Sequence, residues 1–389
     1  MKRARLLVIL VAASIGLAQA PPAPKKPLDQ IQVVALLAGG VASQRVAMLV
    51  NERGISFEPT EDYLTTLKDV GAEDVLLGAL LLAKRAKAEA LSAEVAANRE
   101  QVLNHLLRGT KLRNEKLYAE AEQEFREVIR LQPDSAMGHA FLGEALAAKG
   151  DVGGAIVECR DAIRLQPDYA VAHYYLGNVL RETEDLDGAI AEYRTAISLL
   201  PDFVFAHTAL GEALGKKGDR QGAITEYRAA IRINPNYADA HLDLGFALFE
   251  KGDLDGAIAE YRTAIRLQPD DVKAHNNLGI ALKDKGDLDG AIAEYRTAIR
   301  LRPDDAGAHI HLGDALSKKG DPEGAIAEYR TAIRLQPNDA FAHASLGLEL
   351  ERKGDRRAAL EEYRTAYLLN PKNSAIAQQY ERLLKEVNQ

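Results

Sequence analysis

The chain has 389 residues, room for two ordinary domains or for one architecture that grows by repetition, and 47% of it is apolar, enough to bury a large core. Tryptophan is absent, and alanine, leucine, glutamate and arginine dominate, a helical composition that argues against a sandwich or barrel. A formal charge of −8 makes nucleic acid a poor partner, and the sole cysteine, Cys159, excludes an internal disulfide framework.

Residues 1–20 open with Lys2, Arg3 and Arg5, continue as an uncharged run from Leu6 to Leu17, and end in small residues at Ala18 and Ala20. This is a secretory signal pattern, and its apolar run is too short for an ordinary spanning helix. Cleavage after Ala20 places Pro21 directly behind the cut, whereas cleavage after Ala18, with Gly16 three back, avoids it. Removal takes away three basic residues and no acidic one, moving the formal charge from −8 to −11. The expectation is an exported chain, periplasmic or secreted, with no stable membrane insertion once the segment is cut and an anchor if it is retained. Residues 21–27 form a proline-rich linker in extended backbone.

Residues 28–101 predict a small helical domain. Helices break at Gly39-Gly40, at Arg53-Gly54 and at Gly71; Pro59 and Thr60 before Glu61 and Asp62 make a helix start. A long alanine-rich connecting helix is expected from about Ala72 into the next segment. The piece resembles a small helical module found beside repeats in bacterial proteins.

From Val102 to Asn373 the sequence repeats. Prolines recur every 34 residues from Pro133 to Pro371, glycines in step from Gly109 to Gly347, and alanines from Ala121 to Ala359, which defines eight units. In the unit 238–271, Leu244, Ala247 and Leu248 recur at helical spacing, and then Ala257, Ile258, Tyr261, Ala264 and Ile265 do so. Each unit is two helices. Gly252 ends the first in a left-handed residue and Asp253 caps the second. Pro269 stops the second, and Asp270 or Asp271 caps the following unit. Pro322 falls at the first helical position, where proline is tolerated. Small residues such as Gly245 and Ala257 let the two helices approach.

The sequence His241-Leu-Asp-Leu-Gly245, followed by Ala257, Tyr261 and Pro269, resembles the tetratricopeptide repeat, over about 270 residues. The resemblance implies a right-handed all-α solenoid of eight helix pairs, with an inner concave surface that binds extended peptides or protein segments. The first unit departs from the pattern, with Arg108 in place of leucine and Lys116-Leu117 in place of Gly-Asp. Residues 374–389 read as a C-terminal capping helix, which an open stack requires.

Eight of nine histidines, His105 to His343, occupy one repeat position. Zinc needs ligand nitrogens at about 2 Å, closer than equivalent helices of stacked repeats come, so each rung reads as a half-buried, hydrogen-bonded packing residue rather than a ligand. The Glu-aromatic-Arg triplet of each second helix, as in Glu260, Tyr261 and Arg262, reads as a solvated outer face. Cys159 stands where other units place a tyrosine and reads as core, a reactive thiol being the alternative.

The varied positions of the first helices are candidates for recognition: Met137, Phe141, Val171, Tyr174, Tyr175, Asn178, Phe205, Leu242, Phe246 and Phe249, apolar and aromatic, followed by polar Lys273, Asn276, Asn277, Lys283, His311 and Asp314. Two other readings stand beside this one: the patch is covered by the chain's own N-terminal domain, or is an ordinary surface patch. An incomplete set of lysine, asparagine and arginine argues against capture of a terminal carboxylate. No nucleophile elbow, zinc-ligand spacing, phosphate loop or dinucleotide fingerprint occurs. The sequence therefore predicts a non-enzymatic adaptor, without metal or cofactor, that binds a protein or peptide; the alternative is a self-assembling structural module.

Overall fold

The computed structural model describes residues 28–82, apart from 39, 54, 58 and 70, and residues 93–387. The expected signal segment and proline-rich linker lie outside the described residues. Two compact units divide the chain at Ala172 and His173. Every named element among the described residues is a helix, and none of these helices is long and apolar enough to cross a membrane.

In the first unit, helices α1 (Gln30–Ala38), α2 (Ser43–Arg53), α3 (Glu61–Asp69) and α4 (Asp74–Leu82) come first. They break where the sequence places glycine, and Gly40 and Gly71 hold φ of 82° and 96°. Thr60 Oγ1 accepts from the Tyr63 amide at 3.2 Å, capping α3. Val33, Val46, Val50, Leu67, Leu76 and Leu80 are buried, and Tyr63 donates its hydroxyl to the Gln30 carbonyl at 3.1 Å. The long helix expected from about Ala72 falls in part on residues 83–92, which lie outside the described residues; the described helices on either side are α4 and α5 (Ala93–Asn114). α5 pairs with α6 (Tyr118–Leu131), and α7 (Ala136–Ala148) pairs with α8 (Val152–Leu165).

The second unit continues with the same plan. α9 (Ala170–Glu182), whose first residues fall in the first unit, begins a series in which α10 (Leu186–Leu199), α11 (Val204–Lys216), α12 (Arg220–Ile233), α13 (Ala238–Glu250) and α14 (Leu254–Leu267) follow. Then come α15 (Val272–Lys285), α16 (Leu288–Leu301), α17 (Ala306–Lys319), α18 (Pro322–Leu335), α19 (Ala340–Arg352), α20 (Arg356–Leu369) and α21 (Ser374–Val387). The architecture is an all-α solenoid of helix pairs. One hydrophobic cluster runs without interruption from Ala189 to Leu383, so each pair completes its core on the next.

The turn chemistry is uniform. At the α13–α14 turn Gly252 has φ of 86°, its amide donates to Phe249 O and that of Asp253 to Leu248 O, both at 2.9 Å. Asp253 then accepts from the Gly256 amide at 2.9 Å. Lys116 and Glu184 stand where other units have this glycine and still adopt φ of 62° and 63°. Between units, Asp271 is the cap, accepting from Lys273 and Ala274 amides at 2.8 and 3.3 Å.

The glycine of each first helix has its nearest contact with the residue in the tyrosine position opposite. A Cβ on Gly245 would lie 2.7 Å from the Tyr261 ring, and one on Gly143 would lie 2.6 Å from Cys159 Sγ. Cys159 is fully buried in the tyrosine position, as core. At the end of the stack, α21 buries Ile376 and Leu383, stacks Tyr380 on Tyr367 at 5.5 Å and turns Glu381, Lys385 and Glu386 outward.

Candidate protein-binding surface

The varied positions singled out in the sequence lie on the first helix of each pair, whose remaining faces are spent on neighbours. Two periodic contacts fix that helix. Its leucines enter the core, and its histidine is tied to the second helix. The ladder histidines place Nδ1 at 2.6–2.7 Å from a glutamate oxygen nineteen residues on, from His105–Glu124 through His343–Glu362. Six of them also place Nε2 at 3.0–3.2 Å from the carbonyl of the proline six residues before. The ladder is thus a set of hydrogen-bonded packing residues, as the sequence predicts, with a backbone carbonyl among the partners. The glutamate of the triplet, expected on a solvated face, is instead the histidine's partner, with a side chain only 27% exposed at Glu260. Glu192, Glu260 and Glu294 repeat the arrangement.

In the first unit, Met137 is half-buried, but Phe141 is fully buried between Phe125, 5.5 Å away, and the Arg113 guanidinium, 6.0 Å above its ring. Arg113 is itself paired with Glu144 at 3.0 Å. Val171 is 1% exposed, its short branched side chain ending within the packed layer. In the second unit Tyr175 is 3% exposed, its ring 5.4 Å from that of Tyr174. These three, Phe141, Val171 and Tyr175, are packing residues and not part of an open surface.

In the second unit half-buried Tyr174, Phe205 and Tyr237 form a line of rings around the fully buried Phe203. Tyr174 meets Phe203 at 5.0 Å, Phe203 meets Phe205 at 6.4 Å, and Phe205 meets Tyr237 edge-on at 5.5 Å. Asn178 is half-buried and accepts from the Tyr193 hydroxyl at 2.8 Å. Leu242 and Phe249 are half-buried against the core, while Phe246 stands 54% exposed. Beside them on α13 is Asp243, whose carboxyl burial and the neighbouring Asp239 push up to about 7, against the opposing pull of Lys273 and Arg181. Sequence reasoning misses this aspartate pair because the aromatic residues are what mark the helix out.

Farther along, the polar residues are engaged with one another. Asn276 donates to Asp305 at 3.3 Å, Lys283 lies 4.0 Å from Asp314, and Asp314 accepts from the Tyr329 hydroxyl at 2.8 Å. His311 stacks on Tyr295 at 5.7 Å, and burial, with Lys283 nearby, lowers its pKa. The Tyr295 hydroxyl makes no hydrogen bond among the described residues: its register-mate is Ile280, where Tyr193 and Tyr329 have Asn178 and Asp314. The expected division into an apolar and then a polar stretch ends at the last pair, where Phe341 is 62% exposed and Leu348 is exposed. Phe341 shares the register of Phe205, and Leu348 that of Phe246, so extending one register to the final unit would have found both. Among the described residues no group of His, Cys, Asp and Glu is arranged to hold a metal ion.

Family models described as TPR repeat and tetratricopeptide repeat match residues 107–170, 177–286, 276–340 and 342–373. No curated protein matches the chain. A chain of the APC/C hetero-tetramer Cut9-Hcn1 superposes with a TM-score of 0.57 at 18% identity, covering 90% of this chain and 68% of that one. A tetratricopeptide repeat protein from Parabacteroides merdae gives 0.50 at 17%, covering 64% and 99%. YrrB, a TPR protein with an unusual peptide-binding site, gives 0.42 at 24%, covering 47% and 95%.

Proposed function

The chain belongs to the tetratricopeptide-repeat family, and from that premise we propose that it is an exported, non-enzymatic scaffold that holds an extended protein segment against its first helices. A fold of this kind is in general a protein-interaction scaffold. The finer reading rests on one observation: Phe246 is 54% exposed on the varied face, with half-buried Leu242 and Phe249 beside it, while the repeated frame positions are covered. A single large exposed ring among half-buried neighbours gives a partner's apolar side chain contact area on a preorganised surface, which lowers the ordering cost of binding. Asp239 and Asp243 alongside favour a segment with a donor or cation next to that apolar residue.

The test is a crosslinked capture from the native envelope fraction, read by mass spectrometry, comparing the chain with a Phe246→Ser, Phe205→Ser variant of unchanged helicity. Partners retained by the first and lost by the second support the reading; identical capture overturns the assignment of the face. A second reading, self-assembly, is favoured by Phe341 and Leu368, 62% and 68% exposed in the last pair. Light scattering separates the two, since only self-assembly makes particle size rise with concentration and fall on Phe341→Ser, Leu368→Ser substitution.

A further inference from the structure

The histidine ladder has a hydrogen-bond requirement that one protonation state alone meets. In His139, His207, His241, His275, His309 and His343, Nδ1 faces a glutamate carboxylate at 2.6–2.7 Å and Nε2 faces a proline carbonyl at 3.0–3.2 Å. Both oxygens can only accept. A neutral imidazole carries one N–H, so one nitrogen would confront an acceptor with a lone pair; the imidazolium donates to both. A histidinium donating to a carboxylate makes a charge-assisted bond, stronger than one between neutral partners.

Each rung also joins three pieces of chain. The proline carbonyl belongs to the loop arriving from the preceding pair, the histidine to the first helix and the glutamate to the second. His241 thus ties Pro235, α13 and α14 through one ring that is itself buried. Losing the proton frees either the loop or the second helix, and the same loss recurs at each of these six rungs.

We infer that the ladder is a proton-held clamp: histidinium–glutamate pairs lock the frame of the repeats under mildly acidic and neutral conditions, and the frame loosens as pH rises. The surroundings of His139 and His241 agree. From the paired helix, Glu158 and Asp161 face His139, and Glu260 and Arg266 face His241; from the arriving loop the facing group is an uncharged carbonyl. The hydrogen bond to glutamate raises the pKa of His139 and of His241 above the ordinary histidine value, against the lowering by burial. A raised folded-state pKa gives a stabilisation fully present below the unfolded histidine value and lost as pH climbs through the folded one. The acid end of the window is set by glutamate, which must stay ionised.

The experiment is side-chain nitrogen NMR of the chain labelled on histidine, from pH 5.5 to 8.5. The expected result is a set of ladder rings protonated on both nitrogens at pH 7, with His311, stacked on Tyr295 outside the ladder, as the neutral internal reference. Ladder rings that are single neutral tautomers at pH 7 overturn the inference, and this measurement needs no variant. The second arm uses urea unfolding in an Asp243→Asn background, which removes the carboxyl raised to about 7. There, Glu158→Gln and Glu260→Gln together are expected to flatten the rise of log unfolding constant with pH by up to about one per pH unit for each of these two rungs. An unchanged slope overturns the clamp.

Discussion

Gly279 offers a sharp test of the packing that sets helix spacing. It lies inside α15, where alanine is preferred over glycine by about 1 kcal/mol on backbone propensity alone. A Cβ there, however, would sit 2.5 Å from Tyr295 Cε1, 2.8 Å from Cδ1 and 2.9 Å from Cζ, and the ring is fully buried with no room to retreat. Overpacking a well-filled core costs about 1–3 kcal/mol. The clash with the ring outweighs the gain in propensity, so Gly279→Ala is expected to destabilise by about 1 kcal/mol once both are counted. Gly347 occupies the same register one end of the stack away, but its nearest contact, Tyr363 Cδ1, is at 3.1 Å, a distance the neighbour can yield by a few tenths of an ångström. Gly347→Ala is therefore expected to be neutral or stabilising by up to about 1 kcal/mol. Urea midpoints followed by circular dichroism at 222 nm read the difference between the two. Equal gains in both variants would show that propensity decides the glycine, and the tyrosine ring would lose its role in setting helix spacing.

Three further outcomes follow from the same geometry. Glu184 holds φ of 63° in a turn position filled elsewhere by glycine, so Glu184→Gly is expected to raise stability by about 1 kcal/mol, while Gly286→Ala, at φ of 93° with open space around it, lowers it by a similar amount; thermal melts of the two variants check both signs. Asp243 has its carboxyl raised to about 7, so the folded state loses stability as pH climbs from the unfolded aspartate value through that one; Asp243→Asn is expected to raise the urea midpoint more at pH 8 than at pH 5. Asp253 accepts from the Gly256 amide at 2.9 Å, and Asp253→Ala is expected to cost about 1 kcal/mol with no change in helix content of the folded chain, read by calorimetry.

The helices, their caps and their turns were legible in the sequence because each is a local device. Gly252, Asp253 and Pro269 act within a few residues of themselves, and a period of 34 residues repeats the same instruction eight times. The candidate surface was legible only by register, and register says which way a residue starts, not where its side chain ends. Phe141 shares its register with Tyr175, Asp243 and His311, and whether that position meets solvent depends on volumes brought by other helices, such as the Phe125 and Arg113 that enclose Phe141. Phe246 is 54% exposed where Ile280, in the same register one unit later, is half-buried.

The partner of the histidines escaped the sequence for a different reason, which bears on how the frame and the surface divide the work. A glutamate followed by tyrosine and arginine looks like an ordinary charged face, and nothing local distinguishes Glu260 from Glu250, although one pairs with a buried ring and the other with Arg220 at the surface. The pairing depends on two helices meeting at a fixed spacing, the spacing that Gly245 and Tyr261 set by contact. With leucines, glycine, tyrosine, histidine and glutamate all committed to that contact, what remains free to differ between units is the narrow band holding Phe205, Leu242, Phe246 and Lys273. A change in this band leaves the stack intact, so partner recognition can vary there at little cost to folding, whereas a change at the histidine, the glutamate or the glycine is felt by every pair stacked beyond it.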